Sequence, residues 1–337
     1  MLYEYHRGKL NGTLVMVYDM IKAGLEREQD MILFPAPLKR EENADLVKMV
    51  QKDHPEMFYV NFYEYSYRAD KTTGYLYPRY LYKGKQRARK AQEIEAAVRT
   101  LLLTGTKKNL KTDLEKCRWI HDRLVRNIIY DMEVLEGTSE DKTVYTIEGV
   151  FCKKKAVCAG ISHAFKLLAD RMNLKAIVVF GEADTEAVAN NYRHAWNIVR
   201  IGEDYVQVDT TWDGNQSRAV NHYRYDFFAL SDLEFMRRHR YSEGADYPIC
   251  KTMKYSYFAN CGCYLKNPEQ LKRYFEKTLN TGKKVLYFKI AGEVPDRRRF
   301  AGKVDQLAEK MIGKRCAGMR YYKVIQKEEL VFFYRIE

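Results

Sequence analysis

Cys158, His194 and Asp209 are the residues whose types and spacing suit nucleophilic chemistry. A cysteine is a useful nucleophile only as its thiolate, and a free thiol with a pKa near about 8.5 is ionised to a few per cent at neutral pH. Two devices for lowering that value are written into the chain. After Ala156-Val-Cys-Ala-Gly160, the apolar residues Ile161, Ala164, Phe165, Leu168 and Met172 recur at helical spacing. Cys158 is therefore expected at a helix N-terminus, where the partial positive charge favours the thiolate. The second device is an imidazolium. His194 opens the strand-like run His194-Ala-Trp-Asn-Ile198, and Asp209 follows in Val206-Gln-Val-Asp-Thr-Thr-Trp-Asp213. An acid there accepts a hydrogen bond from the imidazole, sets its tautomer and stabilises its charged form. A lone Cys or His in such a setting is usually a packing residue. The three in this order point to a nucleophile, a base and an orienting acid.

The segments AVCAG, HAWNIV and VDTTWD resemble, in order and spacing, the three catalytic motifs of the transglutaminase-like superfamily of papain-fold cysteine enzymes. Trp196 and Trp212 match the aromatics usual beside the His and the Asp, and Asp53-His-Pro-Glu-Met-Phe58 and Phe227-Phe-Ala-Leu-Ser-Asp232 are similar to flanking segments of bacterial members. The resemblance covers roughly residues 40–240. It implies an α+β fold with a papain-like core, in which a Cys-bearing helix packs on an antiparallel sheet that carries the His and Asp. It also implies acyl transfer through a thioester, resolved by water in proteases and deglycosylating relatives or by an amine in cross-linking enzymes. Hydrolysis of a protein or peptide substrate is the expected outcome, because transamidation needs a shielded site that admits an amine and no sequence feature identifies one. Neither a metal nor an organic cofactor is required. The alternative is a catalytically silent scaffold that serves as an interaction module.

A hairpin turn centred on Glu203 would pair Asp209 with Asn197 or Ile198, about 10 Å or more from His194 at strand rise. A bulge, a bend or a different turn is expected to close that gap. The backbone N–H of Cys158 is the natural first oxyanion donor, and a second is sought in residues 145–155. His163 is assigned a structural role. His121, His222 and His239 have neither an acid nor a nucleophile at motif spacing and are assigned none.

Around these residues, helices are expected over residues 12–28, in a run capped by Asn43 or Asp45 before Pro55, and over 85–103 and 110–129. A hairpin is expected from 58–67 and 74–82, and strands over 176–180, 195–201 and 205–211. The tail adds aromatic-rich strands, helices over 268–278 and 295–312 and a final hairpin, the order of a small α+β unit. The expected domains are residues 1–105 (helices and hairpin), 106–248 (catalytic core) and 249–337 (a small basic unit).

Composition bounds the rest. The 337 residues are 46% apolar, enough for a sizeable core, without repeats or low-complexity tracts. No apolar run approaches the roughly 20 residues of a membrane span, and the N-terminus lacks the pattern of a secretory signal. Seven cysteines suit reduced thiols rather than a disulfide framework, so a cytoplasmic location is expected unless a leader has been trimmed. Cys250, Cys261 and Cys263 match no common zinc spacing and are read as buried free thiols in a strand-like stretch. The net charge is +13, and residues 251–337 hold 20 Lys and Arg against 9 Asp and Glu. A solvated basic surface is the simpler reading, with an anionic partner as the alternative that charge reversal at Arg297, Arg298 and Arg299 would test. Nucleic acid is not favoured, since no nucleic-acid motif accompanies the charge.

Overall fold

The computed structural model describes all residues except 1, 186, 187, 243 and 317; the side chains of 185, 188–192 and 315 are also not described. Helix α1 (Gly12–Glu26) turns Val17, Tyr18, Ile21 and Leu25 inward. Strand β1 (Ile32–Phe34) follows, then α2 (Arg40–Asp53), which starts earlier than an Asn43 or Asp45 cap would place it. The carboxylate of Glu42 accepts from the Lys39 N–H at 2.8 Å and secures that start, while Asn43 is buried inside the helix. Strands β2 (Val60–Ala69) and β3 (Gly74–Tyr80) form the expected hairpin, and β1 joins it in the order β1-β3-β2. Helices α3 (Gly84–Thr106) and α4 (Asp113–Asn127) come next, α4 opened by a capping box between Thr112 and Glu115.

Strand β4 (Ile129–Tyr130), a turn of helix α5 (Met132–Leu135) and β5 (Lys155–Ala156) lead into α6 (Cys158–Arg171). Every residue of α6 from 159 to 170 is buried, so this helix is a core element rather than an amphipathic surface one. Its Lys166 is buried and satisfied by Asp170 at 2.8 Å and by the Tyr3 carbonyl at 2.9 Å.

Helix α6 lies against a five-stranded sheet built from β6 (Ala176–Thr185), β7 (Val188–Ile201), β8 (Asp204–Val208), β9 (Phe228–Leu230) and β10 (His239–Tyr241), with α7 (Thr210–Val220) and α8 (Asp232–Phe235) between them. The order is β10-β6-β7-β8-β9 and every pairing is antiparallel. The strand expected to reach residue 211 ends at Val208, because Asp209 caps α7 through bonds to the N–H groups of Thr211 and Trp212. The β7–β8 turn also differs from a Glu203-centred one. Ile201 pairs with Asp204, leaving Gly202 (φ +60°) and Glu203 as a two-residue loop. Asn197 then faces Val208, so Asp209 comes opposite Trp196, two residues from His194 on the same face. No bulge is needed in this pair.

The remaining elements are α9 (Tyr257–Asn260), β11 (Tyr264–Leu265), α10 (Pro268–Asn280), β12 (Val285–Ile290), α11 (Arg297–Arg315), β13 (Tyr321–Gln326) and β14 (Val331–Ile336). Their sheet runs β11-β12-β14-β13. The stretch around Cys261 is a short helix and turn, not a strand, and Cys261 is exposed while Cys250 and Cys263 are buried. All seven thiols are free. One hydrophobic cluster extends from Val17 through α6 and β8 to Ile336. Among the described residues, no helix is long and apolar enough to cross a membrane.

Candidate active site

Cys158 is the first residue of α6, after Val157 as N-cap, so its N–H is one of those a helix start leaves without an intrahelical acceptor. Cys158 as a whole residue is half-buried. Gly160, two residues on, lets this helix start lie directly on the chain beneath it: an added Cβ would come 2.4 Å from the Val144 carbonyl oxygen and 3.0 Å from that of Thr146. His194 sits on β7 opposite Gly181. Its Nε2 lies 2.8 Å from Asp209 Oδ2, which leaves Nδ1 as the nitrogen available to Cys158.

The carboxylate of Asp209 is fully buried and saturated. Oδ1 accepts from Thr211 N at 2.9 Å and Trp212 N at 3.1 Å, while Oδ2 faces His194 Nε2 and, at 3.0 Å, His239 Nε2. Burial alone would raise its pKa, but His194 and His239 hold it well below the usual carboxylate range. Burial likewise opposes charge on His194, and the Asp209 carboxylate, with the Cys158 thiol, pushes the imidazole up to about 10. The Cys158 thiol, which burial would raise, is held below its ordinary value by its contact with His194. The three shifts agree in direction: at neutral pH they favour a thiolate beside an imidazolium over an Asp209 anion.

Aromatic rings wall this centre. Trp196 stacks near His194 (centroids 6.2 Å apart) and donates its indole N–H to Gln207 Oε1 at 2.8 Å, and Trp212 lies 5.7 Å from His194. On the other side, parallel pairing of β4 with β5 sets Tyr130 opposite Ala156, two residues before Cys158. The Tyr130 phenol is pushed up by burial and by the neighbouring Cys158 thiol. Tyr145 also faces Cys158, and the half-exposed Tyr63 packs on it with centroids 4.8 Å apart.

The structure thus brings Cys158, His194 and Asp209 together, and it adds residues that spacing missed. His239 lies 30 residues beyond Asp209 and carries no motif, yet it shares Asp209 with His194. Tyr130 precedes the 145–155 segment in which a second oxyanion donor was sought. His121 does have an acid: its Nε2 is 3.0 Å from the buried Asp213 and its Nδ1 is 3.1 Å from Asp122. Against the cost of burial, these carboxylates push it up to about 9. Asp213 Oδ1 also accepts from Phe227 N at 3.0 Å, tying α7 to α4 and to the chain before β9. His163 points into the core beside Phe180 and is lowered to about 4 by burial. His222 packs on Phe333. The ligand atoms of His194, Asp209 and His239 lie within 4.8 Å of one another. Their N···O separations of 2.8 and 3.0 Å are those of hydrogen bonds, shorter than the ~3.3 Å between ligands on a tetrahedral zinc with bonds of about 2.0–2.1 Å.

Residues 101–210, which end one residue past Asp209, match the family model described as the transglutaminase-like superfamily. A solved structure described as the crystal structure of a TGase is similar over 54% of this chain and 50% of its own, at 16% identity and a TM-score of 0.32. The chain thus spans about half the length of that protein. No curated protein matches.

Proposed function

We propose that this protein is a cysteine-nucleophile acyl-transfer enzyme acting on peptide or amide bonds, with Cys158 as nucleophile, His194 as proton shuttle and Asp209 as the residue that holds His194. The observation that carries the reading is the buried Asp209–His194 bond at 2.8 Å beside a thiol at a helix start. The thiolate of Cys158 adds to the carbonyl carbon, and the C=O π electrons move to oxygen. The backbone N–H of Cys158 and the Tyr130 hydroxyl are the donors assigned to that oxyanion. Collapse re-forms the C=O and breaks the C–N bond, and His194 gives its proton to the departing amine, leaving a thioester. Water then attacks with His194 as base, the C–S bond breaks, and the acid leaves as the thiolate–imidazolium pair returns. Hydrolysis is favoured over cross-linking because transamidation needs a site that admits an amine while shielding the thioester from water, and no sequence feature identifies one.

The test is iodoacetamide labelling of Cys158 across pH, read by peptide mass spectrometry, followed by acylation with an activated ester and partition of the thioester between water and an added primary amine. The expected result is fast labelling at pH 6, lost in His194→Ala, and an acyl-enzyme that yields mainly acid. Labelling no faster than a free thiol would overturn the enzymatic reading, and a mainly amide product would replace hydrolysis with transamidation.

A second reading, a scaffold that engages an anionic partner, is favoured by a groove between β11 and α10 lined by Lys254, Lys266, Arg273 and Lys277. Binding of such a partner would survive Cys158→Ala and weaken with salt. Arg297 does not belong to that surface: it is buried and bonded to the Glu328 carbonyl, so reversing its charge would disturb the fold.

A further inference from the structure

Asp209 Oδ2 faces two imidazoles, and the mechanism above uses only one. The other, His239, opens β10, whose pairing with β6 places it opposite Ala183. Its ring is fully buried, stacked on Phe235 with centroids 3.9 Å apart, and enclosed by Trp212 at 4.6 Å, Trp196 at 5.2 Å and Phe227 at 5.6 Å. The ionisable groups that face it are Asp209 from the cap of α7 and His194 from β7, whose rings lie 5.6 Å apart. Of the neighbouring charges, Arg238 lies 5.5 Å from the Trp212 ring centroid, and Asp184 on β6 pairs with Arg240.

Because Asp209 is a carboxylate, the His239 nitrogen 3.0 Å from it must carry a proton and donate. Burial, together with repulsion from a charged His194, keeps His239 below its ordinary pKa despite that bond, so the ring is neutral with its proton on Nε2. Its Nδ1 faces the Phe235 carbonyl at 3.3 Å, and the shorter 3.0 Å bond to the Asp209 carboxylate is the one that claims the ring proton.

We propose that His239 is a positioning residue of the Cys158–His194–Asp209 centre, a neutral imidazole whose Nε2–H holds the Asp209 carboxylate and shares the charge that Asp209 offers to His194. The inference rests on the proposed catalytic reading and extends it. In an aromatic-walled pocket, a carboxylate oxygen with a single partner gives all of its attraction to that partner. A second donor on Oδ2 tempers the grip on the His194 imidazolium, which must release its proton to the leaving amine. Without that donor, the His194 imidazolium would part with its proton less readily, only at higher pH.

The experiment is the rate of Cys158 alkylation by iodoacetamide from pH 4 to 11 in the full chain, its His239→Phe variant and its His239→Gln variant. Phe keeps the aromatic packing and removes the donor; Gln keeps an amide N–H at similar reach and cannot titrate. The upper step of the His239→Phe profile, where His194 loses its proton, is expected to move up by about one pH unit, the worth of one hydrogen bond to a buried charge, with His239→Gln returning close to the parent profile. A His239→Phe upper step that superimposes on the parent or moves to lower pH overturns the proposal, as does a Gln variant that shifts as far as Phe. If the parent thiol labels no faster than a free thiol at pH 6, the catalytic reading falls and this one with it; a normal parent with unmoved variants overturns the role of His239 alone. Should His239→Phe fail to fold, imidazole 15N NMR of the parent decides. A neutral ring protonated at Nε2 between pH 6 and 9 is expected, and an imidazolium or an Nδ1–H tautomer overturns it.

Discussion

At the scale of single residues, Cys158 acquires its character from what touches it. A helix start supplies a partial positive charge, His194 supplies the larger opposing charge, and Tyr130 supplies a hydroxyl. These contributions are separable. Tyr130→Phe removes a donor to the proposed oxyanion but leaves the His194 partnership intact. It is expected to slow acylation by an activated ester by about 10²-fold, the usual worth of one oxyanion donor, while alkylation of Cys158 at pH 6, which forms no oxyanion, stays within about threefold. Stopped-flow acylation beside iodoacetamide labelling measures both, and equal losses in the two assays would remove Tyr130 from that role. Cys158, His194 and Asp209 were legible because each sits in a short local pattern: an apolar helical period, a strand opening, and an acid before Thr-Thr-Trp. Tyr130 had no such pattern, since its place beside Cys158 comes from β4 pairing with β5.

At the scale of elements, Asp209 does two jobs at the junction of β8 and α7. Oδ1 caps the helix and Oδ2 serves the imidazoles. Asp209→Ala removes both and strands two buried imidazoles, an expected loss of about 2–4 kcal/mol; Asp209→Asn keeps an oxygen for the cap and is expected to lose roughly half as much. The sign with pH follows from the depressed pKa of Asp209. Its contribution is fully present above the unfolded value of about 3.9 and is lost as pH falls through the folded value. The stability gap between parent and Asp209→Asn should therefore narrow on acidification, and urea titrations at pH 7 and in the acid range check this. A gap that widens in acid would contradict it. The helix–strand order of this region was readable, but the end of β8 was not, because Val206, Val208 and Thr211 all suit a strand and only the cap bonds of Asp209 mark the turn into helix.

At the scale of the molecule, the basic C-terminal sheet is locked to the central region through buried charge. Arg224 grips Asp226 at 3.0 and 2.6 Å, Tyr287 on β12 reaches the same carboxylate at 2.5 Å and accepts from Tyr225 N at 2.6 Å, and the guanidinium lies between the rings of Tyr287 and Phe333. We propose that residues 249–337 unfold together with residues 106–248 rather than separately. Asp226→Ala leaves Arg224 buried without its carboxylate and is expected to cost about 3–5 kcal/mol. Circular dichroism and tryptophan fluorescence should report one coincident transition in the parent and a single, lowered one in the variant. All three tryptophans, Trp119, Trp196 and Trp212, precede residue 249, so two separated transitions would restore an independent C-terminal unit. The sequence by itself determined the α+β class, most helices and hairpins, and the three candidate residues, because hydrophobic period, turn chemistry and motif order are properties of neighbours along the chain. The tertiary structure decided what depends on pairings between distant segments: the two-residue turn that brings Asp209 opposite Trp196, the β10–β6 pairing that sets His239 on Asp209, and the β4–β5 pairing that sets Tyr130 beside Cys158. Pairing between strands far apart along the chain is settled by the core closing as a whole, and the register of a hairpin by the length of its turn, which short patterns around single residues do not specify.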